Sequence, residues 1–218
     1  MAGANARAKT TVDMQTQLEE ARLHLAKKDK ALARVIKQVG QCRLTVDPMQ
    51  SAFDALTRAI MYQQLTGKAA ATILGRVKAL GRLEGVFDHD DVLFLTEEQL
   101  RAAGCSRAKA LALKDLALKV KEGHVPHVDE MHAMTDEELI ERLCAVRGIG
   151  KWSVEMLMMF RLGRLDILPA TDYGVRKGFA ITYKLDDLPT PKEILAHGEL
   201  WRPYRSVASW YMWRANEL

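Results

Sequence analysis

Residues 135 to 173 read TDEELIERLCAVRGIGKWSVEMLMMFRLGRLDILPATDY, and this stretch decides the fold. Its pattern predicts a helix, a tight glycine turn, a buried helix and an extended segment that ends at Asp172. Thr135 followed by Glu138 is a capping box, in which each side chain accepts a hydrogen bond from a backbone amide that the helix leaves unpaired. Apolar residues then recur at the spacing of a helix with one buried face.

The turn between the two helices has the sequence Gly148-Ile149-Gly150. Glycine tolerates positive φ and leaves neighbouring backbone amides uncovered. A turn of this kind that opens onto a helix N-terminus directs several N–H groups and the positive end of the helix dipole at one point, where a phosphate can bind. The alternative is an ordinary αα-hairpin whose glycines only let two helices pack closely. The segment from Trp152 to Phe160 is apolar nearly all round, which predicts a buried helix.

Composition indicates a globular protein of one sizeable core or two small lobes, with 218 residues, 48% of them hydrophobic and 28% charged. The net charge of +4 is compatible with nucleic acid without establishing it. The three cysteines are widely spaced and form no CxxC pair, so neither a disulfide framework nor a zinc ribbon is indicated. No apolar run approaches bilayer length, which predicts a protein without a membrane span, and a reducing cytoplasm is the default.

Caps and breakers along the rest of the chain predict helices throughout, so the expected class is all-α. Residues 13 to 40 predict two helices split near Lys27-Lys28-Asp29-Lys30, with the lysines on a solvated face. Asp47-Pro48 predicts a helix start, with Asp47 as N-cap and proline at the first helical position. The final helix is expected to begin at Pro203. Only residues 92–95 and 165–168 are candidates for short extended pieces.

Three histidines and two acids cluster in one segment: His124, His127, His132, Asp129 and Glu130. Their irregular spacing matches no usual metal-ligand pattern. A surface loop is the preferred interpretation, with a metal site as the alternative.

Two segments carry a resemblance to a known family. Val146-Arg147-Gly148-Ile149-Gly150-Lys151-Trp152-Ser153 resembles the helix-hairpin-helix of the DNA glycosylase superfamily, and Leu168-Pro169-Ala170-Thr171-Asp172-Tyr173 resembles the segment that bears its catalytic aspartate. The branch it most resembles is 3-methyladenine DNA glycosylase II. The similarity extends over about residues 16 to 218 and includes Tyr62-Gln63-Gln64-Leu65, Leu100 to Ser106 and Trp201 to Ser206.

The resemblance implies a two-lobed helical fold with a cleft between the lobes. The small, polar and basic residues 1–12 predict a flexible tail, and residues 13–218 are expected to form the glycosylase domain. Lobe A would comprise about residues 48–130. Lobe B would comprise about residues 13–47 and 131–218, with the hairpin at 146–151.

The resemblance also implies a DNA N-glycosylase of base-excision repair that removes alkylated purines, a DNA-3-methyladenine glycosylase II-like hydrolase. Cleavage of a glycosidic bond builds positive charge on the sugar, and a carboxylate near C1′ stabilises it. Asp172 matches that position and could also orient or deprotonate the attacking water. The alternative for Asp172 is a helix N-cap alone, and the two roles are compatible.

By the same resemblance, further residues acquire expected roles. The base pocket is expected to contain Tyr62, Trp152, Met156, Tyr173 and Trp213. The side chain that fills the gap left by an everted base is expected from Gln63 and Gln64. Phosphate contacts are expected from Arg147, Gly148, Ile149, Gly150 and Lys151. Alternatively, Trp152 and Trp213 are core residues, and Gln63 and Gln64 only end a helix.

Members of the superfamily that also cut the DNA backbone have a lysine amine where this chain has Trp152. Lys151 precedes it and should point elsewhere, toward phosphate, since a helix turns about 100° per residue. The expected reaction is therefore hydrolysis to an abasic site.

No cofactor is expected. Three cysteines are too few for the four-cysteine iron–sulfur cluster of some relatives. A structural Na⁺ or K⁺ is implied at the backbone carbonyls of Cys144, Val146 and Ile149. The expected partner is double-stranded DNA containing damaged bases, bound by a monomer in the cytoplasm at a bacterial nucleoid, or in a nucleus. The alternatives are a non-catalytic helix-hairpin-helix DNA-binding module and a bifunctional glycosylase/lyase for oxidised bases.

Overall fold

A computed structural model describes residues 2–83 and 86–218, with side chains described from residue 14 onward. A flexible tail was predicted over residues 1–12. Met1 and the side chains of residues 2–13 lie outside the described residues, so this flexibility stays a prediction. No described helix is both long enough and apolar enough to cross a membrane.

The described chain is helical, which confirms the all-α class. In chain order the helices are α1 (Ala2–Lys28), α2 (Lys30–Val39), α3 (Ala52–Tyr62), α4 (Gly67–Lys78), α5 (His89–Phe94), α6 (Glu97–Ala102), α7 (Arg107–Lys121), α8 (Val128–Ala133), α9 (Asp136–Cys144), α10 (Lys151–Phe160), α11 (Tyr173–Tyr183), α12 (Pro191–Gly198), a 3₁₀ turn (Glu199–Trp201) and α13 (Arg205–Ala215). Within the described residues the β-pairing is an isolated bridge between Leu83 and Val86.

Local capping signals placed most helix starts. The capping boxes at Thr96, Thr135 and Thr190 all form. The extended piece predicted at residues 92–95 is wrong, because Asp88 and Asp91 form a capping box that makes this segment α5. Residues 165–168 form no strand within the described chain.

Two predicted helix starts are wrong, the first because of a long-range contact and the second because of a local turn. Asp47 does not cap a helix, because its N–H donates to the carbonyl of Phe160 at 2.9 Å and its carboxylate pairs with Arg161. The helix starts later, at Ala52, with Ser51 as N-cap. The last helix begins at Arg205, since the chain before it closes a turn in which the Tyr204 N–H donates to the carbonyl of Trp201 at 2.8 Å.

The chain divides into two compact units, one of Asp47–Leu162 and one of Met1–Val46 with Gly163–Leu218. The hairpin therefore belongs to the central unit, although the sequence interpretation grouped residues 131–162 with the terminal segments. The physical reason is contact with α7. The Asp115 carboxylate accepts the N–H of Arg147 at 2.7 Å, across 32 residues of chain.

In the central unit α7 packs against three other helices. Its Leu113 and Leu116 are fully buried, and it contacts α3, α5 and α6. These contacts fix the ends of α3 and the hairpin relative to one helix.

In the terminal unit α11 packs closely against α13. Gly178 on α11 has no room for a side chain, because a Cβ there would overlap the carbonyl of Met212 on α13. This close approach sets the position of the first turn of α11 beside the side chains of α13.

A buried carboxylate joins the elements of the terminal unit. The lysines around Asp29 are exposed as predicted, but Asp29 itself is 5% exposed. It caps α2, and its Oδ2 accepts hydrogen bonds from the Tyr183 hydroxyl, from Trp201 Nε1 at 3.0 Å and from His197 Nε2 at 2.9 Å. Burial by itself would raise the pKa of Asp29, but the hydrogen bonds from His197, Tyr183, the Leu32 amide and Trp201 outweigh it and hold the pKa well below its ordinary value.

Candidate active site and hairpin

Asp172 is the N-cap of α11, and its carboxylate is held by two donors. The Val175 N–H donates to Oδ1 at 2.8 Å, and the Trp213 indole Nε1–H donates to the same oxygen at 2.8 Å. Asp172 is partly exposed. The capping role weighed from the sequence is confirmed, and it fixes the direction of the carboxylate, because the side chain can rotate only by breaking both bonds.

The indole of Trp213 lies against the first turn of α11. A Cβ on Gly174 would be 2.8 Å from Trp213 Cδ1 and 3.2 Å from Asp172 Oδ1, so this position admits only glycine without displacement. Asn216 ties the two helix ends together by donating to the carbonyl of Gly174 at 2.9 Å. Tyr173, at the start of α11, is 67% exposed. The structure thus brings Asp172 and Trp213 into direct contact and leaves the Tyr173 ring in solvent.

The hairpin is built on α7 as well as on its own two helices. Gly148 has φ +80°, in the left-handed region, and a Cβ there would lie 3.3 Å from the Cβ of Ala112. Burial by itself would raise the pKa of Asp115, but the Arg147 amide and the Lys119 ammonium, at 2.7 Å, outweigh it and lower the pKa. No local sequence pattern marks Asp115, because its partner Arg147 is 32 residues away.

The two glycines of the hairpin have different physical roles. Gly148 is required by its backbone conformation, whereas Gly150 has an extended φ of −106° that any residue can adopt. A Cβ on Gly150 would meet nothing within 4 Å. Gly150 caps α10 and, as a glycine, makes no side-chain bond to that helix start. The lack of a side chain therefore leaves space over a helix N-terminus, the geometry that admits an anion.

Two cations flank this helix start. Arg147 and Lys151 are both exposed. Lys151 Nζ lies 3.8 Å from the Oε1 of Glu155, whose side chain is 5% exposed. An ammonium next to a buried carboxylate is held at the helix surface, and the predicted contact of both cations with phosphate stays a prediction.

The segment after α3 touches the hairpin directly. Gln63 follows α3 and donates from Nε2 to the carbonyl of Gly148 at 2.8 Å, across 85 residues. Gln64 has a left-handed φ of +55° and an exposed side chain. Tyr62, the last residue of α3, is partly exposed, with the guanidinium of Arg58 4.1 Å from its ring centroid. A left-handed backbone at a residue other than glycine is uncommon and needs surrounding contacts to hold it.

One such contact comes from Lys109 on α7, a residue that the sequence did not single out. Its Nζ donates to the carbonyls of Met61 at 2.6 Å and Gln63 at 2.9 Å. Burial lowers the pKa of Lys109 below its ordinary value. No local pattern marks this contact, because the partners are more than forty residues apart.

Trp152 and Met156 lie four residues apart on α10 and therefore on one face of it. Trp152 is 46% exposed, so the core alternative for this residue does not hold. Both residues, with Tyr62, belong to the central unit, whereas Asp172, Tyr173 and Trp213 belong to the terminal unit. Their joint membership of one base pocket stays a prediction.

The segment with three histidines contains a short helix, α8, rather than a loop throughout. Its start is fixed by the His127 N–H, which donates to Oε2 of Glu130 at 3.0 Å. No group of three or more His, Cys, Asp or Glu side chains in the described chain has a metal-binding arrangement. The metal alternative therefore has no support among these residues.

The glycine hairpin between α9 and α10 and the aspartate that caps α11 both lie in the part of the chain that matches a known family. Residues 57–203 match the family described as HhH-GPD superfamily base excision DNA repair protein, and the chain belongs to this family.

Among its relatives is DNA-3-methyladenine glycosylase 1 of Schizosaccharomyces pombe, which is 35% identical over 94% of this chain and 91% of its own length. The structure of an S. pombe 3-methyladenine DNA glycosylase in complex with abasic DNA superposes with a TM-score of 0.79 at 36% identity, covering 91% of this chain and 97% of that one. A DNA-3-methyladenine glycosidase of Bacillus halodurans superposes with a TM-score of 0.77 at 35% identity, covering 88% and 86% of the two chains.

Proposed function

We propose that this protein is a monofunctional DNA N-glycosylase of base-excision repair that removes alkylated purines and leaves an abasic site. The observation that carries the proposal is the Asp172 carboxylate, held on Oδ1 by Val175 and Trp213 at the start of α11. The family and the named relatives, which are DNA-3-methyladenine glycosylases or glycosidases, support the substrate class.

The chemistry proposed for Asp172 is electrostatic. As the glycosidic bond breaks, positive charge develops on the deoxyribose, and a fixed carboxylate stabilises it without having to reorient. The same group can orient the attacking water or accept its proton. Because both hydrogen bonds are already made in the folded protein, the position of the charge is set before the substrate arrives.

The proposed reaction ends at hydrolysis. The resemblance to the superfamily implies that Trp152 stands where members that cut the backbone have a lysine amine, and the neighbouring Lys151 ammonium lies beside Glu155. Tryptophan has no amine that could attack the sugar carbon and form a Schiff base. This argues against the glycosylase/lyase alternative.

DNA binding is proposed for the central unit. The open helix start at Gly150, with Arg147 and Lys151 around it, would bind a backbone phosphate. The exposed Gln64 would fill the space left in the duplex when the damaged nucleotide is everted. Gln63 would support this loop from within the protein, since its amide is bonded to Gly148.

A monovalent cation is proposed at the hairpin, held by backbone oxygens of Cys144, Val146 and Ile149. The last carbonyls of a helix lack intrahelical partners, and Cys144 ends α9. The Val146 oxygen accepts the Ile149 N–H at 3.0 Å and retains a second lone pair. These oxygen donors suit Na⁺ or K⁺, which would attract phosphate. Replacing K⁺ by tetramethylammonium should then weaken duplex binding at constant ionic strength.

The test is release of base from defined duplexes. Purified protein is incubated with DNA containing 7-methylguanine or 3-methyladenine, and with duplexes carrying deaminated bases or ethenoadenine, and the free base is measured by chromatography. We expect release of the methylated purines, abasic sites that break only after alkali, and no adduct on borohydride treatment.

Other outcomes favour the alternatives. Tight, salt-dependent binding with no release from any duplex would mean a non-catalytic DNA-binding module. A borohydride-trapped adduct would mean a glycosylase/lyase. Sedimentation of the complex would test whether one monomer binds each lesion.

A further inference from the structure

We propose that Lys109 is a positioning residue for base eversion, which it assists by fixing the loop 62–65 against the hairpin. This inference rests on the proposed function and assigns a role to a residue that acts through the backbone of the loop. In this proposal α7 holds two segments rigidly together: the loop 62–65, which would enter the duplex, and the hairpin, which would bind the DNA backbone.

The first step in the argument is the contact of the Lys109 amine with the backbone on both sides of Tyr62. Nζ bonds to the carbonyl of Met61 in α3 and to the carbonyl of Gln63 just after it. The last carbonyls of a helix have no partners within the helix, so an ammonium there replaces water and orders the chain that follows. The chain that follows contains Gln64, in its left-handed conformation.

The second step is the link from this loop to the hairpin. Gln63 makes two hydrogen bonds. Its carbonyl accepts one from Lys109 Nζ, and its side-chain amide donates the other to the carbonyl of Gly148. The turn that contains Gly148 is in turn fixed to α7 by the bond from the Arg147 amide to Asp115. Two residues of one helix, Lys109 and Asp115, therefore set the distance between the loop tip and the hairpin.

The third step is a comparison within the same helix. Lys114, also on α7, bonds through Nζ to the carbonyls of Leu93, at 3.0 Å, and Leu95 at the end of α5. Both amines are partly buried, and burial lowers the pKa of each. The two lysines thus make the same kind of contact, but only Lys109 makes it at the loop that carries Gln64. Lys114 is the matched control for a merely structural role.

The experiment compares Lys109→Met with Lys114→Met in single-turnover release of 7-methylguanine. One duplex pairs the lesion with cytosine, and a second places it opposite an abasic-site analogue, where eversion requires no base pair to be broken. For Lys109→Met we expect release from the paired duplex to slow by about 10- to 100-fold, the scale of loss that a displacement of about an ångström can cause. On the unpaired duplex we expect a several-fold smaller loss. Lys114→Met should match the wild type on both duplexes.

Two further variants keep the test decisive if Lys109→Met folds poorly. Gln63→Ala removes the bond to Gly148 and leaves Lys109 bonded to the carbonyls of Met61 and residue 63. Its loss of rate should likewise be larger on the paired duplex than on the unpaired one. Lys109→Arg retains the charge and donors and should recover part of the rate. Fluorescence of 2-aminopurine opposite the lesion should report reduced eversion in the slow variants.

The inference fails if wild-type protein releases 7-methylguanine while Lys109→Met and Lys114→Met lose activity equally, or if the loss for Lys109→Met is the same on both duplexes. Absence of release by the wild type itself would instead overturn the proposed function. The two failures are therefore distinguishable in one set of assays.

Discussion

Replacing Trp213 by phenylalanine tests whether this residue acts on the reaction or only fills the core. The change removes the indole N–H that donates to Asp172 Oδ1 at 2.8 Å and keeps an aromatic ring against Gly174. The bond from Val175 to the same oxygen remains, so α11 stays capped. The carboxylate then loses one of the donors that fix its Oδ1, so its position is held less firmly.

The size of the effect follows from the kind of bond. A hydrogen bond to a charged group contributes about 1.5 to 3 kcal/mol. Asp172 is partly exposed and retains its second donor, so the lower end of that range applies. Since about 1.4 kcal/mol corresponds to a factor of ten in rate, we expect Trp213→Phe to release a methylated purine about tenfold more slowly.

The assay is single-turnover release at saturating enzyme, with thermal unfolding measured in parallel. The matched control is Trp210→Phe, the same substitution on α13 at a residue that packs on Tyr211, with ring centroids 5.1 Å apart. The smaller ring should cost each variant about 1 kcal/mol of stability, and Trp213→Phe should lose about 1.5 kcal/mol more with its bond to Asp172. Only Trp213→Phe should lose rate. If it released base at the wild-type rate while its stability fell, the assigned role of the indole would be refuted.

Two further predictions concern stability and the hairpin. Asp29→Asn should lower the free energy of unfolding at pH 7 by about 3 kcal/mol, because an amide cannot accept the three donors that meet Oδ2. The pKa of Asp29 in the folded protein lies below its ordinary value of 3.8. The extra stability of the wild type is therefore fully present above pH 3.8 and is lost as the pH falls through the folded-state pKa. Equal urea midpoints for the two proteins at pH 7 would contradict this prediction. Gly148→Ala should cost about 1 to 2 kcal/mol for a left-handed alanine. Gly150→Ala should keep wild-type stability but bind duplex DNA more weakly, as measured by fluorescence anisotropy. If Gly150→Ala were the less stable of the two variants, the roles assigned to the glycines would be wrong.

Much of the fold was predictable because its signals are local. A capping box such as that at Thr135 needs only residues three apart, and its outcome does not depend on the rest of the chain. The position of Asp172 at a helix start was predictable for the same reason, since the extended segment and the following helix are contiguous with it. The failed start at Asp47 shows the limit: its bonds to Phe160 and Arg161 outweigh a sound local cap.

The supporting contacts were not predictable because their partners are far apart in sequence. Asp29 stands among exposed lysines and resembles part of a charged surface, yet its hydroxyl partner is 154 residues away. Lys109 and Asp115 resemble solvated charges on an amphipathic helix, yet each bonds backbone atoms of another segment. A single charged residue that bonds a distant backbone group does not change the periodic pattern of its helix, so the sequence does not indicate the bond.

Asp172→Asn tests the central claim most directly. Asparagine retains an acceptor for the Val175 N–H, so folding and duplex binding should be preserved. It carries no charge to stabilise the developing positive sugar, so release of 7-methylguanine or 3-methyladenine should fall by about 100-fold or more. Release at the wild-type rate by a folded, DNA-binding Asp172→Asn protein would contradict the account.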